Sequence, residues 1–131
     1  MKTYFSSVLF VCISLLFFSC GPKITTEIFK PHASIDPNSP IAVLGVYNPL
    51  PEKTLLVGKL KFGDTGMSTD CSFNSNCFKA LNIARKQGAN IVKITESKPP
   101  NLWTSCHRME IELHHFKGDV ETLDQITLQL D

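Results

Sequence analysis

The chain has little charge of either sign to spare. Thirteen Lys and Arg face twelve Asp and Glu, for a formal net charge of +1, and setting aside the first nineteen residues removes only Lys2 and leaves twelve of each. A nucleic-acid partner would show as a basic face, so no such partner is expected. No internal repeat and no low-complexity block is present, and beyond residue 19 no apolar run approaches the roughly 20 residues that a bilayer span requires. There is no Ser-His-Asp order, no phosphate-cradling glycine loop and no carboxylate pair of the kind acid–base chemistry uses. A single tryptophan, Trp103, and two tyrosines are present. The roughly 110 residues after the start suit one domain with a modest core.

What the sequence does carry begins at its N-terminus. Met1, Lys2 and Thr3 form a short segment with one positive charge. Val8 to Phe18 then runs apolar apart from Ser14, about the length of the apolar part of a signal peptide. The run is apolar on all sides and is followed by the helix-breaking pair Gly21–Pro22, which argues against a buried core helix. Ser19 before Cys20 resembles the bacterial lipobox, in which a small residue precedes a cysteine that becomes the acylated first residue of the mature chain. Leu16 lies one place outside the position such motifs usually give to leucine, with Phe17 and Phe18 after it. The alternative is ordinary cleavage near Ser19, leaving Cys20 as a free thiol. On the lipobox reading, residues 1–19 are a signal peptide and Cys20 carries the lipid. Gly21, in place of the aspartate that retains lipoproteins in the inner membrane, implies the outer membrane. Two or three acyl chains anchor firmly, because each buried CH₂ contributes about 0.8 kcal/mol. The membrane is thus the first expected partner.

Residues 20–40 contain four prolines and several turn formers, and read as an extended tether of roughly 60 Å at about 3.1 Å per residue. Docking of Ile24, Ile28 and Phe29 as an edge strand is the open alternative. Residues 41–118 form the expected domain. Ile41 to Tyr47 is a continuous apolar run between prolines, as in a buried strand. Leu55 to Phe62 alternates at its end, and could pair with the first run as a hairpin through Asn48–Lys53. A helix follows, capped by Asn74 or Ser75, with Cys77, Ala80, Leu81 and Ala84 on one stripe, Arg85 and Lys86 in the last turn, and Gly88 ending it. Asn90 to Thr95 is a short strand. Trp103 to Phe116 is a long one, with Met109, Ile111, Leu113 and His115 on one face and Glu110, Glu112 and His114 on the other. The fold class is α+β, a small β-β-α-β-β sandwich with one helix on a mostly antiparallel sheet. The tail, residues 119–131, spaces Val120, Leu123, Ile126 and Leu130 as in a short helix.

With Cys12 in the signal segment and Cys20 acylated, three thiols remain, and an odd number leaves at least one unpaired within the chain. Cys77 lies on the helix stripe and reads as a buried free thiol. Cys71 and Cys106 sit where loops could bring them together, and Cys71–Cys77 is the next pairing, since sequence alone does not fix connectivity. A metal site would use Cys106 and His107, with His114, His115 and His32 as further donors. Zinc sites usually show paired ligands two to five residues apart, twice. Cys71 and Cys77 are six positions apart, and His114 and His115 point to opposite faces of a strand, so no metal or other cofactor is expected. Asp64 in Gly63–Gly66 sits in the Asp-Thr-Gly triplet of aspartic proteases, which share a proton between two such carboxylates. The chain lacks that family's second apolar strand and hydrophobic-glycine element, and a turn explains the residues.

The segments GDTGMSTDC, ARKQGANIVKI and PPNLWTSCHRMEIEL together resemble a group of small bacterial lipoproteins, related in pattern to the outer-membrane sensor of the Rcs envelope-stress phosphorelay. The resemblance spans Leu55 to Phe116. It implies a bridge between Cys71, in the turn before the helix, and Cys106, at the start of the last strand. The sensor's second bridge has no counterpart here. Gly88 to Val92 is also similar to a segment of small heavy-metal-binding domains of like architecture. A lipid-anchored, non-enzymatic envelope protein facing the periplasm or the surface, and contacting another envelope protein, is therefore expected. The alternative is a metal- or small-ligand-binding lipoprotein using Cys106 and His107 with His114 and His115.

Overall fold

The computed structural model describes residues 21–66 and 68–129. The expected signal segment, Cys20 and Leu130 lie outside the described residues. Among the described residues, five strands and one helix follow in the order β1 (Lys23–Ile28), β2 (Ala42–Leu44), β3 (Leu55–Gly63), α1 (Phe73–Gln87), β4 (Ile91–Lys98) and β5 (Arg108–His115), with a 3-10 turn at Val120–Thr122. The strands make one sheet in the order β1-β3-β5-β4-β2. Every pairing is antiparallel except that of β2 with β4. This is the α+β class, one helix on one face of an open sheet.

Alternation decides which residues reach the helix. Leu60 and Phe62 of β3, Val92 and Ile94 of β4, and Met109, Ile111 and Leu113 of β5 are buried against Cys77, Ala80 and Ala84 of α1. Those three helix residues are small, which lets the helix backbone settle close to the sheet. Leu81 is only partly buried at the rim. The helix starts one turn element earlier than expected. Ser72, not Asn74 or Ser75, is the cap, and its hydroxyl accepts from Ser75 N at 3.1 Å. Gly88 ends it in the left-handed region at φ 74°, donating to Ala84 O and Arg85 O, as its position in the sequence implies.

The expected hairpin between the first two apolar runs does not form. β2 pairs in parallel with β4 at one edge, Val43 opposite Val92, whereas β3 lies between β1 and β5. The reason is burial on both faces: Val43 joins the helix-side core, while Ala42 and Leu44 pack with Ile91 and Val120 in a second cluster on the opposite face. A strand covered on both sides reads as a continuous apolar run and is typical of parallel pairing. A hairpin edge would have left one face open.

The tether expected over 20–40 is, from Lys23 onward, part of the fold. β1 pairs with β3 from Lys23–Gly63 to Ile28–Gly58, so the edge-strand alternative is the one realised. The segment after it is stitched to the end of α1 through His32 N to Gln87 O, Ile35 N to Arg85 O, and Arg85 Nη1 to Ser39 O at 3.0 Å each. Two further boundaries move. β4 runs on to Lys98, and β5 begins only at Arg108, leaving Trp103 to His107 in the loop. The tail holds a three-residue 3-10 turn capped by Asp119 in place of the expected short helix. It then passes along the free edge of β2, where Ile126 N donates to Val43 O at 2.9 Å. That contact covers an edge that would otherwise offer unpaired backbone groups.

Candidate functional site

Two long loops, residues 64–72 and 99–107, meet at the end of the sheet where β1 and β5 begin and β3 ends. Cys71 and Cys106 are joined there, with an S–S distance of 2.02 Å, and both are buried. Asn76, fully buried in the first turn of α1, ties the bridge to the helix. Its amide donates to His107 O at 2.8 Å and Cys71 O at 3.5 Å, while His107 N donates to Cys71 O at 2.9 Å. Both loops are thus fixed by one covalent bond and a set of hydrogen bonds around a single asparagine.

The sequence-expected residues at this end have structural roles. Cys106 spends its sulfur on Cys71, so the pair Cys106 and His107 offers only an imidazole. That ring meets Ser97 Oγ at 2.7 Å and the edge of Phe73 at a centroid distance of 5.2 Å, and burial lowers its pKa below the usual histidine value. Asp64 accepts from Thr104 Oγ1 and, at 2.7 Å, from Gly66 N. These bonds, the threonine's first, hold its carboxyl below the usual aspartate range, whereas a shared-proton dyad needs one carboxyl raised. The turn reading of Gly63–Gly66 describes what the residues do.

The remaining histidines divide between the two faces of the sheet. His114 is buried on the face away from the helix, with Nε2 3.2 Å from Glu112 Oε2. His115 meets Gly88 O through Nδ1 at 3.0 Å and stacks on His32 at 4.7 Å. Among the described residues no three His, Cys, Asp or Glu side chains converge as a metal would require. Cys77 is buried and unpaired.

Sequence reasoning missed Lys93, the one charge inside the apolar run Ile91–Ile94. The residue is 9% exposed, and its ammonium donates to Gly45 O at 2.6 Å, Asn48 O at 2.5 Å and Val46 O at 3.0 Å. Burial lowers its pKa, opposed by the neighbouring Glu112 carboxylate. Alternation places Lys93 on the face away from the helix, opposite Glu112, so nothing in the local pattern signalled its burial. The consequence of its hydrogen bonds is a braced turn after β2 that presents Tyr47, 98% exposed. Tyr47, Val46, Phe73, Glu96, Ser97 and Ile126 border an open groove of about 420 Å³.

The rest of the face away from the helix is a ladder of compensated charges. Lys59 pairs with Glu112 at 2.9 Å and Lys61 with Glu110 at 2.7 Å, above a shallow depression of about 190 Å³. Both lysines of that depression have their anions, so it offers no unspent cation to a phosphate or a carboxylate.

These features define a small, open α+β domain stapled by one disulfide at the end where its first strand enters, with an aromatic-lipped groove beside the staple. No protein-family model, no curated protein and no solved structure matches this chain.

Proposed function

We propose that the chain is a lipid-anchored envelope protein, held at the outer membrane through acyl chains on Cys20, whose domain binds another envelope protein and catalyses no reaction. The observation that carries this reading is the buried Cys71–Cys106 bridge. Such bonds persist in oxidising compartments and are rare in reducing ones, which agrees with export on the apolar run that precedes Ser19 and Cys20. The partner surface best supported is the groove edged by Tyr47. A tyrosine standing almost free on a braced turn offers a large, amphipathic contact at low entropic cost, and tyrosines are enriched where interfaces concentrate their energy. The ligand-binding alternative draws no support from Cys106, His107, His114 and His115, which lie apart and are otherwise engaged.

The test has two parts. Intact mass of the native product is expected to show an acylated Cys20 as the first residue, and an unmodified polypeptide would remove the anchor. A photo-crosslinking amino acid at position 47 is expected to capture one discrete envelope protein in living cells. Repeated failure to recover an adduct from that position would remove the partner.

A further inference from the structure

The loop between β4 and β5 is the most apolar exposed feature of the described surface. Leu102 is 100% and Trp103 94% exposed, side by side at the tip of a tight turn closed by the Asn101–Thr104 bridge. The turn is built, not loose. Asn101 N donates to Thr104 O at 2.9 Å, and the Asn101 side-chain oxygen accepts from Trp103 N at 2.9 Å and Thr104 N at 3.1 Å. Pro99 and Pro100 have no N–H. Of the residues from 99 to 104, only Leu102 therefore keeps an N–H without a partner inside the turn. A segment that has satisfied all but one of its own N–H donors and shows two large apolar side chains leaves bulk water at reduced cost, because unpaired backbone groups are what lipid penalises.

The location of the turn is as telling as its chemistry. Gly21, one residue after the cysteine read as lipidated, accepts a hydrogen bond at its carbonyl from Ser68 Oγ at 3.1 Å. The Ser68 carbonyl lies 3.9 Å from Cys106 Sγ, and Cys106 N donates to Thr104 Oγ1 at 3.3 Å. Three short contacts thus join the point where acyl chains would enter the bilayer to the turn that shows Leu102 and Trp103. Lys98 and Arg108, opposite each other at the loop's root, add cations of the sign that anionic headgroups attract, although Lys98 also pairs with Glu96 at 2.7 Å.

We propose that the Asn101–Thr104 turn is a membrane-contact element: Leu102 and Trp103 enter the interfacial layer of the bilayer that holds Cys20, and so seat the disulfide end of the domain against the membrane. The inference rests on the lipid-anchor reading above. Tryptophan favours the interface because its ring is apolar and its N–H polar, and a second contact beside the anchor converts a swinging attachment into an oriented one.

Trp103 is the only tryptophan in the sequence, so the full acylated protein reports on itself. In phosphatidylethanolamine and phosphatidylglycerol vesicles, its emission is expected to fall about twofold when the lipids carry bromine in the upper acyl chain, as suits a ring at interfacial depth. Leu102→Asp, a change at a wholly exposed position, is expected to abolish most of that quenching with the mass of Cys20 and the Cys71–Cys106 bridge unchanged. Unquenched Trp103 in a protein whose Cys20 is verified as acylated overturns the inference and leaves the anchor standing. Quenching that Leu102→Asp does not alter also overturns it, because nearness without insertion would then suffice. An unmodified Cys20 overturns both readings together.

Discussion

At the scale of single residues, the groups that matter most are those the fold has used up. Cys77 is wholly buried on the helix stripe, and burial pushes its thiol up from 9.0 to about 12. The thiolate is the reactive form, so native protein is expected to resist iodoacetamide, with no acceleration from neutral pH up to roughly pH 10, and to react only once unfolded. The same shift has a stability consequence. A folded pKa above the unfolded one means that the unfolded chain sheds its proton first, so Cys77's contribution is intact below about pH 9 and is lost progressively as pH climbs toward 12. Urea unfolding across that window should show a downward slope that Cys77→Ala flattens. Rapid alkylation of the native protein would mean that α1 presents a different face to the sheet. Lys93 and the Asn76 amide N–H are spent in the same sense, one on carbonyls of the turn after β2 and the other on the loops around the bridge. Both are buried polar residues, and each must find partners or destabilise the fold.

At the scale of elements, the end of α1 carries the sharpest constraint. Gly88 holds φ 74°, and a Cβ there would overlap Ala33 O and His32. Gly88→Ala adds both left-handed strain and a backbone clash. It is expected to lower the unfolding free energy by more than about 1 kcal/mol in urea titration, with the far-ultraviolet helix signal retained. An unchanged midpoint would show that the segment after β1 does not pack on the helix terminus. That helix end was legible in the sequence because caps are local: Gly88, Arg85 and Lys86 sit within one turn of one another. The alternations of β3 and β5 were legible for the same reason, and so was the placing of Cys77 inside. Pairing partners were not. Ala42–Leu44 reads as a buried strand, but nothing local says that its neighbour is β4, forty-nine positions on for Val43 and Val92, and not β3. β1 was ambiguous because Lys23, Thr25 and Glu27 give it a polar face suited equally to a tether or an edge. The start of β5 was misplaced because the apolar Leu102 and Trp103 suggest a strand, whereas Asn101 folds them into a turn. At the candidate site, the cysteine pair could be ranked from sequence, yet Asn76 and Lys93 could not be found, since burial is inferable from pattern but hydrogen-bond partners across long separations are not.

For the molecule at large, the question is what holds the sheet together when, among the described residues, one helix covers it and much of its second face is open. The helix side carries the main core, and among the described residues the other side is covered at the β2 edge by the small cluster of Ala42, Leu44, Ile91 and Val120. The Lys59–Glu112 and Lys61–Glu110 pairs on the uncovered part are exposed and contribute little. A domain of this size has only some 5 to 15 kcal/mol in hand, so one constraint on the unfolded chain weighs heavily. The Cys71–Cys106 bridge spans a separation of 35 residues and encloses α1, β4 and the turn of Leu102 and Trp103. Closing a loop of that length stabilises by about 3–4 kcal/mol in the chain-entropy model. The double variant Cys71→Ala, Cys106→Ala is therefore expected to lose about 3–4 kcal/mol of unfolding free energy, and its urea dependence should steepen because the released chain exposes more surface when it unfolds. Asn76 and His107 still join the two loops in that variant, so native-like circular dichroism should persist at low urea. Wild-type protein unfolded in dithiothreitol should reproduce the variant's midpoint. If the variant and the wild type unfold together under oxidising conditions, the bridge is not what stabilises this end of the sheet, and the case for an exported domain loses its main support.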